Sequence, residues 1–165
     1  MNLKNRIRVF NQLGDYLRNN FYIDNLNKIA EAGFKNPWFT DQNIRQAIDV
    51  WGEQLRCENL DVWLDAYKIE EIAHPKKVLI IMAGNIPLVG FHDFLSVMLT
   101  GNSVVIKLSS NDNILLPIII KKLIEIEPLF QDYIQLSDHI GVKDFDAIIA
   151  TGSDNSAKHF EYYFK

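Results

Sequence analysis

Two hydrophobic periodicities divide the chain. Before residue 74, apolar side chains recur every three or four positions: Ile7, Phe10, Leu13 and Leu17 form one stripe, and Ile44, Ile48, Trp51 and Leu55 form another. That spacing follows the helical period and predicts amphipathic helices. The helix carrying the later stripe has a start signal in Phe39-Thr40-Asp41, where Thr40 or Asp41 can cap the free N–H groups of the first turn. Leu60, Trp63, Leu64 and Tyr67 continue the helical pattern through the tract 60–72.

Pro75 marks a boundary beyond which the pattern changes. Val78-Leu79-Ile80-Ile81-Met82 is a continuous apolar run too short for a helix, as expected of a strand buried on both faces of a parallel sheet. Residues 91–99 then read as a helix with Gly101 as its C-terminal stop. Val104-Val105-Ile106 is a second buried strand. Residues 113–127 form a further helix, with Pro117 tolerated near its first turn. A short strand is expected around 133–136, another over 146–150, and a last helix over 153–165. Strands alternating with helices across short connections predict an α/β fold. The expectation is a helical N-terminal segment over 1–74, followed over 75–165 by an open, mostly parallel, Rossmann-like sheet with flanking helices.

Composition narrows the function classes. The chain has 165 residues, 48% of them apolar, enough for a sizeable core in one domain. A net charge of -4 with dispersed bases leaves no footprint for nucleic acid or an anionic membrane. The apolar runs 78–83 and 114–120 fall far short of the ~20 residues that span a bilayer, so no membrane span is expected. The N-terminus lacks the apolar core of a signal peptide, and the lone cysteine, Cys57, excludes an internal disulfide framework; both lead to a cytoplasmic expectation.

Ligands of open α/β sheets bind beyond the carboxyl ends of the strands. Here those ends carry small and polar residues in order: Ala83-Gly84-Asn85-Ile86-Pro87, then Lys107-Leu108-Ser109-Ser110-Asn111, then Thr151-Gly152-Ser153-Asp154-Asn155-Ser156. The third opens a predicted helix, whose N-terminal N–H groups and dipole suit a phosphate. Taken singly, these stretches read as a turn, a solvated strand end and a helix cap. Their ordered coincidence at successive strand ends is the stronger signal. Neither GxGxxG nor GxxxxGK[ST] occurs.

The order of these motifs resembles the coenzyme-binding domain of the aldehyde dehydrogenase superfamily. Met82-Ala83-Gly84-Asn85-Ile86-Pro87, the stretch from Met98 through Thr100-Gly101-Asn102-Ser103-Val104-Val105-Ile106-Lys107 to Ser110, and Ala150-Thr151-Gly152-Ser153 stand where that superfamily reads roughly PWNFP, ALAAGNTVVLKPSE and FTGS. Within it the chain is most similar to the acyl-CoA reductases of the LuxC type, with a good match over 76–165 and a looser one before. The resemblance implies NAD(P)H-dependent reduction of a fatty acyl thioester, carried by CoA or an acyl carrier, to an aldehyde. Asn85 matches the asparagine whose amide helps bind the thiohemiacetal oxyanion. Lys107 matches the lysine that bonds the adenine ribose. Gly152 and Ser153 match the pair that admits the pyrophosphate, with Ser156 one turn further along the helix. Ala83, Gly84, Ser109 and Thr151 complete the coenzyme-binding stretches. Ser110 falls where NAD-preferring members often carry glutamate; its lack of charge favours NADPH, with NADH as the alternative. The chain departs from the pattern at Ala83 and Gly84, which replace the first proline and the tryptophan, and at Leu108, which replaces a proline.

The same resemblance requires a cysteine nucleophile after the coenzyme segment. Cys57 lies upstream of every motif, in Arg56-Cys57-Glu58 of the helical half, so the catalytic domain is expected beyond Lys165 and this segment alone is expected to be inactive. His74, His92, His139 and His159 lack metal-ligand spacing, and no GxSxG elbow occurs. The contrasting expectation is a non-catalytic nucleotide-binding or scaffold module of the same fold. An incomplete sheet would leave apolar edges open to homo-oligomer formation.

Overall fold

The computed structural model describes residues 1–69, 71–137 and 145–152. The expected last helix, with Ser153 and Ser156, lies outside the described residues, as do His139 and His159.

The helical half begins with α1, Leu3–Asn19, capped by Asn2, whose side chain accepts from the Asn5 N–H at 2.9 Å. The predicted stripe is its buried face: Phe10, Leu13 and Leu17 go inside with Val9, and Ile7 is half-buried. Helix α2, Phe21–Lys35, has no clear stripe because Ile23, Leu26 and Phe34 face outward while Phe21, Ile29 and Ala32 face inward. Thr40 caps α3, Asp41–Gln54, accepting from the Asn43 N–H at 3.2 Å. Helix α4 covers only Cys57–Asp65, so Tyr67, expected to continue the pattern, lies past its end and is exposed.

The second half runs β1 (Lys77–Ile81), α5 (Phe91–Leu99), β2 (Ser103–Lys107), α6 (Leu115–Ile126), a 3-10 turn (Pro128–Asp132), β3 (Ile134–Leu136) and β4 (Ala147–Ala150). Pro117 sits in the first turn of α6, where a missing N–H costs nothing. The strands form a four-stranded parallel sheet in the order β3-β2-β1-β4. From β1 the chain steps outward to β2 and β3, then returns across β1 to β4. The strand order therefore reverses between β1 and β4.

Alternation within the strands explains their unbroken apolar sequence. Val78, Ile80, Val104 and Ile106 join the main core with α1, α5 and α6, whereas Leu79, Ile81 and Val105 pack on the opposite face with Phe145. The helical half and the sheet share that main core. Phe10 of α1 meets Phe94 of α5 and Phe130 edge-on, at ring-centroid distances of 6.3 and 5.7 Å.

A polar contact completes the same junction. Arg6 of α1 is only 4% exposed and donates from Nε to the Leu99 carbonyl at 2.8 Å, meeting the negative C-terminal end of α5. Burial lowers its pKa, opposed by Glu71 and Tyr133. Gly101 ends the helix with φ +83°, and a Cβ there would lie 3.0 Å from Arg6 Nη1. Gly101→Ala should therefore combine left-handed strain with displacement of Arg6, lowering stability by about 1–3 kcal/mol. A drop in the urea midpoint at unchanged slope would register this, whereas an unaltered midpoint would show that the corner accepts a side chain.

Candidate functional site

The strand order reverses between β1 and β4, the kind of position beyond whose carboxyl ends open α/β sheets hold their ligands. The strand ends are level: Ile81 of β1 is paired with Lys107 of β2 on one side and with Ala150 of β4 on the other. Two further bonds extend the pairing past the strands, from Met82 N–H to the Lys107 carbonyl and from Thr151 N–H to the Ile81 carbonyl, each 3.0 Å. The described residues among those singled out in the sequence thus leave one edge of the sheet together.

They differ in environment. Ala83 and Thr151 are half-buried and Gly152 is exposed. Asn85 is exposed at the tip of its loop, and its side chain has no hydrogen-bond partner among the described residues. Lys107 is half-buried, on the same side of the sheet as Ile81 and Val105 by strand alternation, with no ion-pair partner among the described residues. Ser110 is exposed at the tip of the loop after β2. Ser109 is instead engaged in shaping that loop: its Oγ accepts from the Asn111 N–H at 3.2 Å, and its carbonyl accepts from the Asp112 N–H at 3.1 Å. Gly84 is pressed against Ser109, so a Cβ at Gly84 would sit 2.4 Å from Ser109 Oγ. Only glycine allows the two loops this approach.

Three polar residues that pattern reading passed over hold these loops. Asn36, between α2 and α3, bonds the Gly84 and Asn111 carbonyls at 3.1 and 3.3 Å. Asp93, in the first turn of α5, accepts from Thr151 Oγ1 at 3.0 Å. Asp112 accepts from the Leu88 N–H at 3.1 Å, holding a residue whose φ is +58°. A polar residue inside a loop has no periodic signature. The signals for Asn36 and Asp112 were the turn-forming Asn36-Pro37 pair and the Asn111-Asp112-Asn113 run, and Asp93 showed only as an acid in the first turn of α5.

Cys57 lies in the helical half of the chain. It starts α4, which packs on α1 and α3. Burial raises its thiol pKa, and the acids Asp61, Glu58 and Asp15 raise it further. A reactive cysteine needs the opposite, electropositive setting.

Asp112 is 8% exposed, and its Oδ1 has no partner among the described residues. Burial pushes its pKa up to about 6, with the Leu88 N–H opposing the shift. A carboxyl group whose folded pKa exceeds its unfolded value of 3.8 binds its proton more tightly in the folded state. Its stabilising contribution is complete below pH 3.8, declines as pH rises towards about 6 and is lost above. Asp112→Asn should remove this decline and, relative to wild type, gain on the order of 2–3 kcal/mol between pH 4 and pH 8. Parallel denaturation curves across that range are the check; parallel pH profiles for both proteins would refute a buried titrating Asp112.

Comparison with known proteins places the chain in a family. No curated protein matches the chain. The family model for acyl-CoA reductase (LuxC) matches residues 14–161, from within α1 to beyond β4 and therefore every strand end described above. The chain belongs to the LuxC acyl-CoA reductase family.

Proposed function

We propose that this chain forms the coenzyme-binding portion of an NADPH-dependent acyl-CoA reductase. The proposed reaction reduces a fatty acyl thioester to an aldehyde through an acyl-cysteine whose cysteine lies outside this segment. The observation that carries the reading is the reversal of strand order between β1 and β4, beside which Asn85, Lys107 and the Thr151-Gly152 pair share one edge of the sheet. LuxC-family reductases use a nicotinamide coenzyme, and the residues here fit one. Lys107 offers a cation without a competing carboxylate partner among the described residues, and the exposed Ser110 offers a neutral hydroxyl. Gly152 leaves the approach to the β4 end uncrowded by a side chain.

Bound NADPH supplies the hydride. The protein groups position and stabilise around it. Lys107 would hold the adenine ribose, Ser110 would tolerate a 2′-phosphate that a carboxylate would repel, and Thr151-Gly152, with Ser153 and Ser156 by the family resemblance, would accommodate the pyrophosphate. The Asn85 amide donates to the oxygen that becomes negative when the acyl carbon turns tetrahedral. Its exposed side chain, with no internal partner among the described residues, is free to do so.

Titration of the chain with NADPH and NADH tests the coenzyme assignment. Tighter NADPH binding is expected, with Lys107→Ala weakening both coenzymes and Ser110→Glu reversing the preference by at least about tenfold. An unchanged preference in Ser110→Glu would remove that residue from the site, and binding of neither coenzyme would overturn the assignment.

Asn85 and Cys57 are tested by turnover in the enzyme that includes the acyl-accepting cysteine. Asn85→Ala should reduce turnover by on the order of 10²–10³ while leaving coenzyme affinity and melting temperature nearly unaltered. Cys57→Ala should leave turnover unchanged. Normal turnover in folded Asn85→Ala would reduce Asn85 to a turn residue, and lost turnover in folded Cys57→Ala would identify Cys57 as the nucleophile.

A further inference from the structure

We propose that Asn36 is a positioning residue that sets the spacing of the loops after β1 and β2, which carry Asn85 and Ser110 of the proposed coenzyme site, so that the helical half of the chain governs coenzyme affinity. The inference rests on the coenzyme reading only for its affinity consequence; the effect on the loops stands on geometry alone.

Asn36 follows the last turn of α2 and is extended, with φ −130° and ψ 111°, the conformation that a following proline favours. That backbone carries the side chain away from α2. It is 6% exposed, and three hydrogen bonds fix it. Oδ1 accepts from the Trp38 N–H at 3.0 Å, a local bond that closes its own turn. Nδ2 faces away from that turn and donates to the Gly84 carbonyl at 3.1 Å and the Asn111 carbonyl at 3.3 Å. These acceptors lie 48 and 75 residues away in sequence, one in the loop after β1 and one in the loop after β2.

A primary amide is the smallest side-chain group that performs both tasks here. It has one acceptor oxygen for the local turn and two N–H donors for the carbonyls. Serine can supply the local acceptor but cannot reach both carbonyls with one hydroxyl hydrogen. Nearby contacts reinforce the clasp: Lys35 Nζ bonds Asn113 Oδ1 at 2.8 Å, and Gly84 lies against Ser109. The Gly84 carbonyl immediately precedes Asn85 in the chain, and the Asn111 carbonyl follows Ser110 by one residue. Loss of the clasp therefore frees both loops at the residues next to their proposed functional side chains.

The experiment compares wild type, Asn36→Ala and Asn36→Ser by hydrogen–deuterium exchange without ligand and by NADPH titration. Both variants should exchange about tenfold faster over residues 83–90 and 108–113, with α1 and α3 unchanged. NADPH affinity should fall by a similar factor. Serine retains the Trp38 bond, so wild-type behaviour in Asn36→Ser would show a purely local turn role and overturn the proposal. Faster exchange throughout the chain in both variants would also overturn it, by showing a general loss of stability. If wild type binds no NADPH, the coenzyme reading fails, while the exchange of the two loops still decides the role of Asn36.

Discussion

Burial of the α1 stripe against the sheet helices is the contact on which the other features depend. Phe10 is fully buried, with Phe94 and Phe130 edge-on to it, and Arg6 meets the end of α5 a turn earlier. A four-stranded parallel sheet with short strands cannot shield both faces by itself. Here α1 closes the layer over α5 and α6, and in doing so it brings α2 and its terminal Asn36 within reach of the strand-end loops. Apolar burial, which is non-directional, thus places a directional polar contact.

The strand-end loops are held by polar groups withdrawn from water. Asn36 and Asp112 are both buried, and each bonds main-chain groups of the loop after β1. Asn36 has its oxygen and amide nitrogen satisfied, whereas Asp112 keeps one oxygen unpaired and a raised pKa. Such a carboxyl costs stability when ionised, yet its accepted bond holds Leu88 at an uncommon positive φ. Under the proposed role of Asn85, rigid loops would have a functional value, because donors aimed at developing charge act best when no reorganisation is needed.

Family membership and geometry bear on different parts of the functional reading. Membership gives acyl-thioester reduction and a nicotinamide coenzyme. Geometry contributes the shared edge of Asn85, Lys107 and Thr151, and burial beside acidic residues raises the Cys57 thiol pKa. The raised thiol pKa of Cys57 supports the proposal that acyl transfer uses a cysteine elsewhere.

The sequence by itself determined the elements whose signal is local. Buried strands appeared as apolar runs because both faces of β1 and β2 are covered, and Gly101 and Thr40 marked helix ends because caps are chosen by backbone geometry. The motif stretches at the strand ends were legible for the same reason, being short and contiguous. Helix α2 was not separately legible, since several of its large apolar residues point outward and blur the period. Only tertiary structure decided the strand order, the level pairing of Lys107 and Ala150 about Ile81, and the identities of Asn36, Asp93 and Asp112 as loop partners. Those features join residues tens of positions apart, and a hydrogen bond across that separation leaves no periodic trace in the chain that forms it.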